Sequence, residues 1–288
     1  MDHKPCYIIA EIGINHNGSL EQALQLIAAA KEAGCNAVKF QKRTIEAVYS
    51  PDELARPRES VFGLTNGDLK RGLEFGMSEY TAIDSYCKSL DIDWFASCWD
   101  SEAVDFIAQF NPPFYKIASA LLTDDDLLRY TREWGDIADP RSRLPNKSII
   151  LSTGMSTLEQ IDHAIEVLGK DDLILLHCMS AYPAYNDELN LLTITRLYSR
   201  YNLPVGYSGH ELGTVTTVAA VAIGACMIER HITLSRDLWG SDQAASLEPE
   251  ELKELVRDIR FVEAALGDGI KRVYEREVPV MQKLRKHV

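Results

Sequence analysis

The sequence predicts a single-domain α/β fold, the closed (β/α)8 or TIM barrel, in which eight parallel strands lie inside a ring of helices. Short, nearly continuous apolar runs alternate with amphipathic segments throughout the 288 residues, which is the pattern of repeated strand–helix units. Eight such units can be counted, and strands that are apolar on both faces are typical of a parallel sheet covered by helices. A doubly wound open sheet is the alternative, but neither a GxGxxG fingerprint nor a phosphate-binding loop follows any run.

The first unit shows how each strand and helix is identified. Residues 7–12 (YIIAEI) are apolar and rich in β-branched side chains, as in a buried strand. Ser19 is a suitable N-cap for the helix that follows, and Gly34 is a suitable end to it. The remaining strands are predicted at residues 37–41, 93–97, 114–117, 148–151, 173–177, 205–207 and 225–229.

Two long connections interrupt this pattern. Residues 42–77 have no clear periodicity and follow a strand, so they are expected on the face where barrel active sites lie. They form either a lid or an insertion without a role in the site. Residues 133–147 follow a helix, and we expect them at the opposite face. No linker divides the chain, so residues 1–288 are interpreted as one domain.

Composition excludes several classes of protein. With 46% hydrophobic and 25% charged residues, the chain is typical of a soluble globular enzyme. Its formal charge of −13 argues against nucleic acid or an anionic membrane as a partner. The start has no signal-peptide pattern, and the most apolar stretch, residues 215–228, is too short to span a bilayer. Six cysteines without CxxC pairing fit reduced thiols, so a cytoplasmic protein is expected.

Polar residues stand at the ends of all eight predicted strands, where a barrel places its active site. In chain order they are Glu11, Lys39 with Gln41, Ser97 with Cys98, Lys116 with Ser119, Ser152 with Thr153, His177, Ser208 with His210, and Arg230 with His231. The two lysines lie inside otherwise apolar strands. Because burying an unpaired ammonium group is costly, we expect an anionic group beside them.

His210 and His231 each follow a short apolar run. If those runs are adjacent parallel strands, both imidazoles emerge at the same rim. Imidazole is the commonest protein ligand of divalent transition metals, so the pair predicts a metal site. The alternative is that each histidine is a hydrogen-bonded polar residue at a strand end.

Two mechanisms are compatible with the lysines. Lys116 or Lys39 could form a Schiff base, as in aldolases of this fold. Both could instead bind phosphate and carboxylate as ammonium groups, with hydroxyl hydrogen bonds from Ser119, Ser152 and Ser208. The histidine pair favours the second mechanism, because a metal ion polarises a carbonyl group without an imine.

Seven segments carry a combined signature: AEIGINHNGS (residues 10–19), VKFQ (38–41), YKIAS (115–119), ILSTGM (150–155), LLHCMSAYP (175–183), GYSGHE (206–211) and IERHITL (228–234). In this order and at this spacing, they resemble the family of sialic acid synthases and related nonulosonic acid synthases. Members of that family condense phosphoenolpyruvate with the open-chain aldehyde of an N-acylated amino sugar and release phosphate. The resemblance therefore implies metal-dependent synthesis of a 2-keto-3-deoxy sugar acid.

The resemblance also assigns roles to particular residues. It implies that His210 and His231 hold Mn²⁺ or Mg²⁺, and that Glu11 orients or deprotonates the attacking water. The implied phosphoenolpyruvate contacts are Lys39, Lys116, Ser119, Ser152 and Ser208. The implied sugar-side contacts are Glu11, Gln41, Tyr182 and Asp242, with Cys98 and Ser180 at further substrate-contact positions.

The chain departs from the family pattern at three positions. Leu121 replaces a usual glutamate beside the metal and the sugar, Ser180 replaces a common asparagine, and Cys98 replaces a usual threonine. These changes leave the identity of the sugar open. They also allow an alternative from another class, a catalytically inactive barrel that acts as a regulatory subunit.

The resemblance implies one more expectation, about the end of the chain. Residues 267–288 resemble the barrel exit of the family, after which most members continue into a small antifreeze-like domain. We expect no such domain here, and hence a more open sugar pocket with altered acceptor specificity. A separate polypeptide or a basic barrel residue such as Arg43 would have to supply the missing cation. A barrel-to-barrel homodimer is also compatible with the sequence.

Overall fold

A computed structural model describes residues 5–136 and 148–286. The strands in these residues are β1 (Tyr7–Gly13), β2 (Ala37–Lys42), β3 (Pro57–Ser60), β4 (Gly63–Thr65), β5 (Asp93–Cys98), β6 (Phe114–Ile117), β7 (Ser148–Ser152), β8 (Leu173–Cys178), β9 (Val205–Gly209) and β10 (Met227–His231). All except β3 and β4 are parallel neighbours in one closed barrel, in which β10 pairs with β1. The predicted eight-stranded barrel is therefore confirmed.

Helices surround the barrel. In the described residues they are α1 (Leu20–Ala33), α2 (Ile45–Val48), α3 (Pro51–Leu54), α4 (Asn66–Leu73), α5 (Met77–Leu90), α6 (Ser101–Ala108), α7 (Asp125–Asp136), α8 (Leu158–Leu168), α9 (Thr193–Tyr201), α10 (Val215–Ala222), α11 (Pro249–Leu266) and α12 (Val278–Leu284). The Ser19 side chain accepts a hydrogen bond from Gln22 N at 3.3 Å, and Gly34 ends α1 with φ 89°. Both predicted helix signals are confirmed. No helix in the described part of the chain is both long and apolar enough to cross a membrane.

Most predicted strand bounds are within one or two residues of the observed ones, but the last strand is shifted. It was expected at residues 225–229, and it runs from Met227 to His231. The chain is still leaving a turn at Gly224, where φ is 111°, and pairing begins with Met227 opposite Tyr7. His231 is consequently the last residue of a strand, where the backbone fixes the direction of its side chain.

Side chains alternate along each strand between the barrel interior and the helix layer. The barrel floor is apolar and consists of Ile9, Ala37, Phe95, Ile150, Leu176 and Met227. Two residues further along the same six strands stand Glu11, Lys39, Ser97, Ser152, Cys178 and Glu229, all of which face a cavity. The fold therefore places a polar layer directly above an apolar floor.

The sequence shows no clear periodicity in the connection after β2, but this connection contains α2, α3, the antiparallel β3–β4 hairpin and α4. Lys42 joins the two ends of this connection, because its Nζ donates to Glu74 Oε1 at 2.8 Å and to the Phe75 carbonyl at 2.9 Å. At its tip, Phe62 packs edge-on against Trp239 with ring centroids 5.9 Å apart. None of the insertion's described residues lines the central cavity, and the lid role remains a prediction. The second predicted connection, residues 133–147, is only partly described: 133–136 end α7, and the rest lies outside the described residues.

Candidate active site

A cavity of about 260 Å³ opens at the C-terminal ends of the barrel strands. The sequence-predicted residues that line it are Glu11, Lys39, Gln41, Lys116, Ser119, Ser152, Ser180, Tyr182, Ser208, His210 and His231. Residues predicted for metal, phosphoenolpyruvate and sugar contacts thus lie around one cavity.

Two lysines and two carboxylates form a buried cluster at the bottom of this cavity. Lys39 Nζ lies 2.7 Å from Glu11 Oε2 and 3.6 Å from Glu229 Oε1. Lys116 Nζ lies 3.0 Å from Glu229 Oε2. The anionic groups expected beside the lysines are therefore carboxylates of the chain itself, and the charges of the four side chains cancel.

Glu229 was missed as a site residue by the sequence analysis. Its signal was present, because it is an acidic residue inside the apolar run MIERH, two positions before His231. In a strand, that spacing places both side chains on the same face. Glu229 also accepts a hydrogen bond from Ser208 Oγ at 3.2 Å, which joins β9 to the cluster.

The two carboxylates differ in protonation. Burial raises the pKa of Glu11 to about 7, although the charge of Lys39 opposes this shift. Burial also acts on Glu229, but there the charges of Lys116 and Lys39 outweigh it and hold the pKa well below its usual range. Glu229 is thus a permanently charged counter-ion, whereas Glu11 can gain and lose a proton near neutral pH.

The lysines differ as well. Burial would lower the pKa of Lys39, but Glu11 and Glu229 outweigh it and raise that pKa. At Lys116 burial prevails and lowers the pKa. The ammonium group of Lys116 nevertheless remains within hydrogen-bond distance of both oxygens of Glu229, at 3.2 and 3.0 Å.

Gln41 is held between two charged groups. Its Nε2 donates to Glu11 Oε1 at 3.2 Å, and its Oε1 accepts from Arg43 Nη2. Because a guanidinium group can only donate, these two contacts fix which end of the Gln41 amide faces Glu11. The amide therefore orients the carboxylate that titrates near neutrality.

The two histidines meet at the cavity wall with ring centroids 5.5 Å apart. His210 Nδ1 donates to the Met179 carbonyl at 2.6 Å, which leaves its Nε2 with a free lone pair. His231 Nδ1 is buried without a hydrogen-bond partner among the described residues. Burial lowers the pKa of both imidazoles, to about 4 for His210, so both are neutral at physiological pH.

These properties fit a metal site that is only partly built from the chain. Neutral imidazoles with free nitrogens are suitable ligands. The described residues contain no group of three histidine, cysteine, aspartate or glutamate side chains placed to hold an ion. A metal on His210 and His231 would therefore take its other ligands from water or substrate. Tyr182 borders the same wall, with its ring centroid 4.1 Å from that of His210.

Two serine hydroxyl groups of the cavity lining lie close to Gly154. A Cβ at this position would lie 2.2 Å from Ser180 Oγ and 2.9 Å from Ser119 Oγ, so only glycine permits the close approach. The Gly154 N–H donates to Ser119 Oγ at 3.0 Å. This corner presents small hydroxyl donors of the kind that bind phosphate and carboxylate oxygens.

Two predicted substrate contacts are placed differently. Cys98 does not line the cavity; its Sγ faces α6, 3.5 Å from the Ala103 carbonyl. The alternation of β5 turns Ser97 inward instead, where it accepts from Lys39 Nζ at 2.9 Å. Asp242 also lies outside the lining, in the loop after β10, where its Oδ1 accepts from Ser241 Oγ at 2.6 Å.

Other polar strand ends brace the structure. His177 Nε2 donates to the Leu189 carbonyl at 2.7 Å. Arg230 is fully buried in the helix layer, where it pairs with Glu211 at 3.2 Å. Leu121, which departs from the family pattern, packs against the apolar core and does not line the cavity.

The closed barrel and its charged, polar rim cavity define a (β/α)8 protein with an enzyme-type active site. More narrowly, the chain belongs to the NeuB family, whose model matches residues 26–271. The family resemblance inferred from the seven sequence segments is thereby confirmed.

Relatives and solved structures agree with this assignment. The chain is 38% identical to N-acetylneuraminate-9-phosphate synthase of Mus musculus, over 99% of this chain and 77% of the relative. It is 35% identical to N,N'-diacetyllegionaminic acid synthase of Legionella pneumophila, over 98% of this chain and 79% of the relative. The structure of N-acetylneuraminic acid synthetase from Leptospira borgpetersenii in complex with citrate matches with a TM-score of 0.83 at 30% identity, covering 99% of this chain and 94% of that one.

Proposed function

We propose that the protein condenses phosphoenolpyruvate with an aldose derivative, an N-acylmannosamine-like sugar, to give a 2-keto-3-deoxy sugar acid and phosphate. The observation that carries this proposal is the cluster of Lys39, Lys116, Glu11 and Glu229 beneath two neutral histidines in one cavity. The names of the relatives, which are synthases of nonulosonic acids, support the same reaction class.

Phosphoenolpyruvate would bind at the floor of the cavity. Lys39 and Lys116 would donate to its phosphate and carboxylate, and Ser119, Ser152 and Ser208 would add hydroxyl hydrogen bonds. Because the four charges of the cluster cancel without substrate, the anionic substrate must draw the lysines away from Glu11 and Glu229.

His210 and His231 would hold Mn²⁺ or Mg²⁺ through their free ring nitrogens. When bound, the ion would polarise the carbonyl group of the sugar aldehyde. Tyr182, which packs on His210 and is 46% exposed, would cover the sugar from the mouth of the cavity.

The reaction then follows from the placement of Glu11. Carbon 3 of phosphoenolpyruvate forms a bond to the aldehyde carbon, the aldehyde oxygen takes a proton from solvent, and carbon 2 becomes electron-poor. Water adds to carbon 2 and gives a proton to Glu11, whose pKa of about 7 suits this exchange. The hydroxyl group on carbon 2 then gives its proton to the departing phosphate as the bond between carbon 2 and the phosphate oxygen breaks, which leaves the 2-keto group and releases phosphate.

The test is a measurement of phosphate release by the purified protein with Mn²⁺ or Mg²⁺, phosphoenolpyruvate and a panel of N-acyl hexosamines and plain aldoses. We expect release that depends on both the sugar and the metal. Absence of release with every sugar would favour the inactive-barrel alternative. If borohydride instead fixes pyruvate covalently to Lys116 or Lys39, the protein is a Schiff-base aldolase.

A further inference from the structure

Arg230 stands between two cavity residues of β10 but faces the opposite way. Glu229 and His231 line the cavity, whereas the Arg230 side chain extends into the helix layer and is fully buried there. After β9 the same alternation places His210 at the cavity and Glu211, also fully buried, in the helix layer. The guanidinium group of Arg230 lies 3.2 Å from the Glu211 carboxylate. We call these two residues the Arg230–Glu211 pair.

The pair joins β9 and β10 beyond the point where their backbone pairing stops. The last residues paired across these strands are Gly209 and Arg230, so the ladder does not extend to His210. Instead, Arg230 Nη2 donates to the Glu211 carbonyl at 2.7 Å, and Nη1 donates to the Gly213 carbonyl at 2.9 Å. The guanidinium group therefore holds the backbone that follows His210 directly against β10.

The carboxylate of Glu211 is itself held from two elements. Its Oε1 accepts from the hydroxyl groups of Thr216 and Thr217 in α10, each at 2.8 Å. Its Oε2 accepts from the Tyr207 hydroxyl group of β9 at 2.9 Å. Gly209 leaves the room for this arrangement, because a Cβ there would lie 2.6 Å from Glu211 Oε2. The position of the pair is thus fixed by β9, β10 and α10 together.

Stability alone does not explain a charged pair at this depth. Taking two charges out of water can cost more than their attraction contributes, and apolar residues of similar volume often replace such pairs without loss of stability. An apolar pair would lack the donors of Arg230, which bind two backbone carbonyl groups beyond His210. The property that only the charged pair provides is therefore the placement of this backbone.

The two histidines depend on that placement in different ways. His210 Nδ1 donates to the Met179 carbonyl at 2.6 Å, which orients its ring but does not set its distance from β10. No described residue forms a hydrogen bond with His231 Nδ1, so the backbone of β10 sets the position of that ring. Because Arg230 immediately precedes His231 and binds the backbone after His210, it connects the two imidazoles.

We infer that the Arg230–Glu211 pair positions His210 and His231 for a divalent metal ion by holding the loop after β9 against β10. This inference rests on the proposed function, in which the two imidazoles bind the ion, and it assigns positioning residues that do not touch the ion themselves. The spacing of the imidazoles matters at this site, because no third side chain in the described part of the chain is placed to hold the ion.

The experiment uses the double variant Glu211→Leu/Arg230→Met and the single variant Arg230→Met. Urea denaturation should show a smaller loss of stability in the double variant, because the single variant leaves Glu211 buried and unpaired. Calorimetric titration with Mn²⁺, under conditions where each protein is folded, should show affinity lowered roughly tenfold to a hundredfold in both, as is typical when the groups behind a metal ligand are lost. Recovery of stability without recovery of Mn²⁺ affinity separates positioning from a structural role.

Two further variants sharpen the comparison. Arg230→Lys keeps the charge beside Glu211 but not the planar set of donors, so it should stay folded and retain only part of the Mn²⁺ affinity. Lys42→Met/Glu74→Leu is the matched control. Lys42 and Glu74 also form a buried ion pair, 2.8 Å apart, and Lys42 also donates to a backbone carbonyl, but neither residue lines the cavity. This control should leave Mn²⁺ affinity unchanged.

Wild-type Mn²⁺ affinity in Arg230→Lys and in the folded double variant would overturn the inference, as would an equal loss of affinity in the control. Crystal structures of the same proteins test it without metal. The ring centroids of His210 and His231 are 5.5 Å apart in the wild type, and we expect this separation to change in the variants. If the wild type binds no Mn²⁺, the proposed metal role fails, and an unchanged ring separation in the variants would then overturn the positioning role as well.

Discussion

Glu11 and Glu229 show how position decides the chemistry of a residue. Both are buried carboxylates beside lysines, yet the pKa of Glu11 is raised to about 7 while that of Glu229 is lowered. Glu229 lies within reach of two ammonium groups, whereas the ammonium group of Lys39 beside Glu11 does not offset the burial of that carboxylate. One carboxylate stabilises charge, and the other is suited to move a proton.

The first prediction concerns the pH dependence of turnover. If Glu11 accepts a proton from water, it must be ionised, so kcat/KM, which reports groups of the free protein, should fall as the pH drops below about 7. Glu11→Gln should lower kcat by roughly 10² to 10⁴ and remove this acidic limb. The pH profile of kcat/KM for both proteins is the measurement. The same acidic limb in the variant would show that another group controls it.

The second prediction concerns the histidines. His210→Ala and His231→Ala should each weaken Mn²⁺ binding measured by calorimetry, because the described residues offer no third ligand at this point. His163→Ala is the matched control, since His163 is an exposed residue of α8 that pairs with Asp125. Unchanged Mn²⁺ affinity in both cavity variants would contradict the metal assignment.

At the scale of the strands, one rule explains which predictions hold. Six strands place an apolar residue in the floor and a polar one two positions later in the cavity. By this rule Ser97 faces the cavity and Cys98 faces α6. The sequence locates strand ends only to within a residue or two, so it does not distinguish these two neighbours. It would also have identified Glu229, had the sequence analysis followed the period of two back from His231.

The third prediction tests the ion pair that spans the barrel from β6 to β10. Lys116→Met leaves Glu229 buried beside only Lys39, 3.6 Å away, so the free energy of unfolding should fall by about 3–5 kcal/mol. The double variant Lys116→Met/Glu229→Leu should recover most of this loss in urea denaturation, because it leaves no uncompensated charge. It should not recover activity.

The same variant separates stability from substrate binding. Lys116→Met should raise KM for phosphoenolpyruvate by roughly tenfold to a hundredfold, as expected for a lost charge-assisted contact. Lys42→Met provides the control, since Lys42 also forms a buried ion pair but faces away from the cavity. Its KM should be unchanged. Equal effects of the two substitutions on KM would contradict a direct role for Lys116.

For the whole molecule, the sequence predicted the closed barrel and the convergence of its strand ends. Those follow from patterns within single segments, namely apolar runs, helix caps and polar strand ends. The contacts that it missed depend on tertiary packing. The stacking of Arg43 on Trp99 and the packing of Phe62 on Trp239 join parts of the chain far apart in sequence, and no local pattern specifies either one.

The most direct test of the proposed reaction follows the oxygen that bridges carbon 2 and phosphorus in phosphoenolpyruvate. If water traps carbon 2 and the carbon–oxygen bond then breaks, an oxygen-18 label in the bridge must leave with phosphate. Mass spectrometry should find the label in the released phosphate and unlabelled oxygen on carbon 2 of the sugar acid, at one phosphate per acid formed. Label retained on the carbon product, or phosphate released without the sugar, would contradict the mechanism.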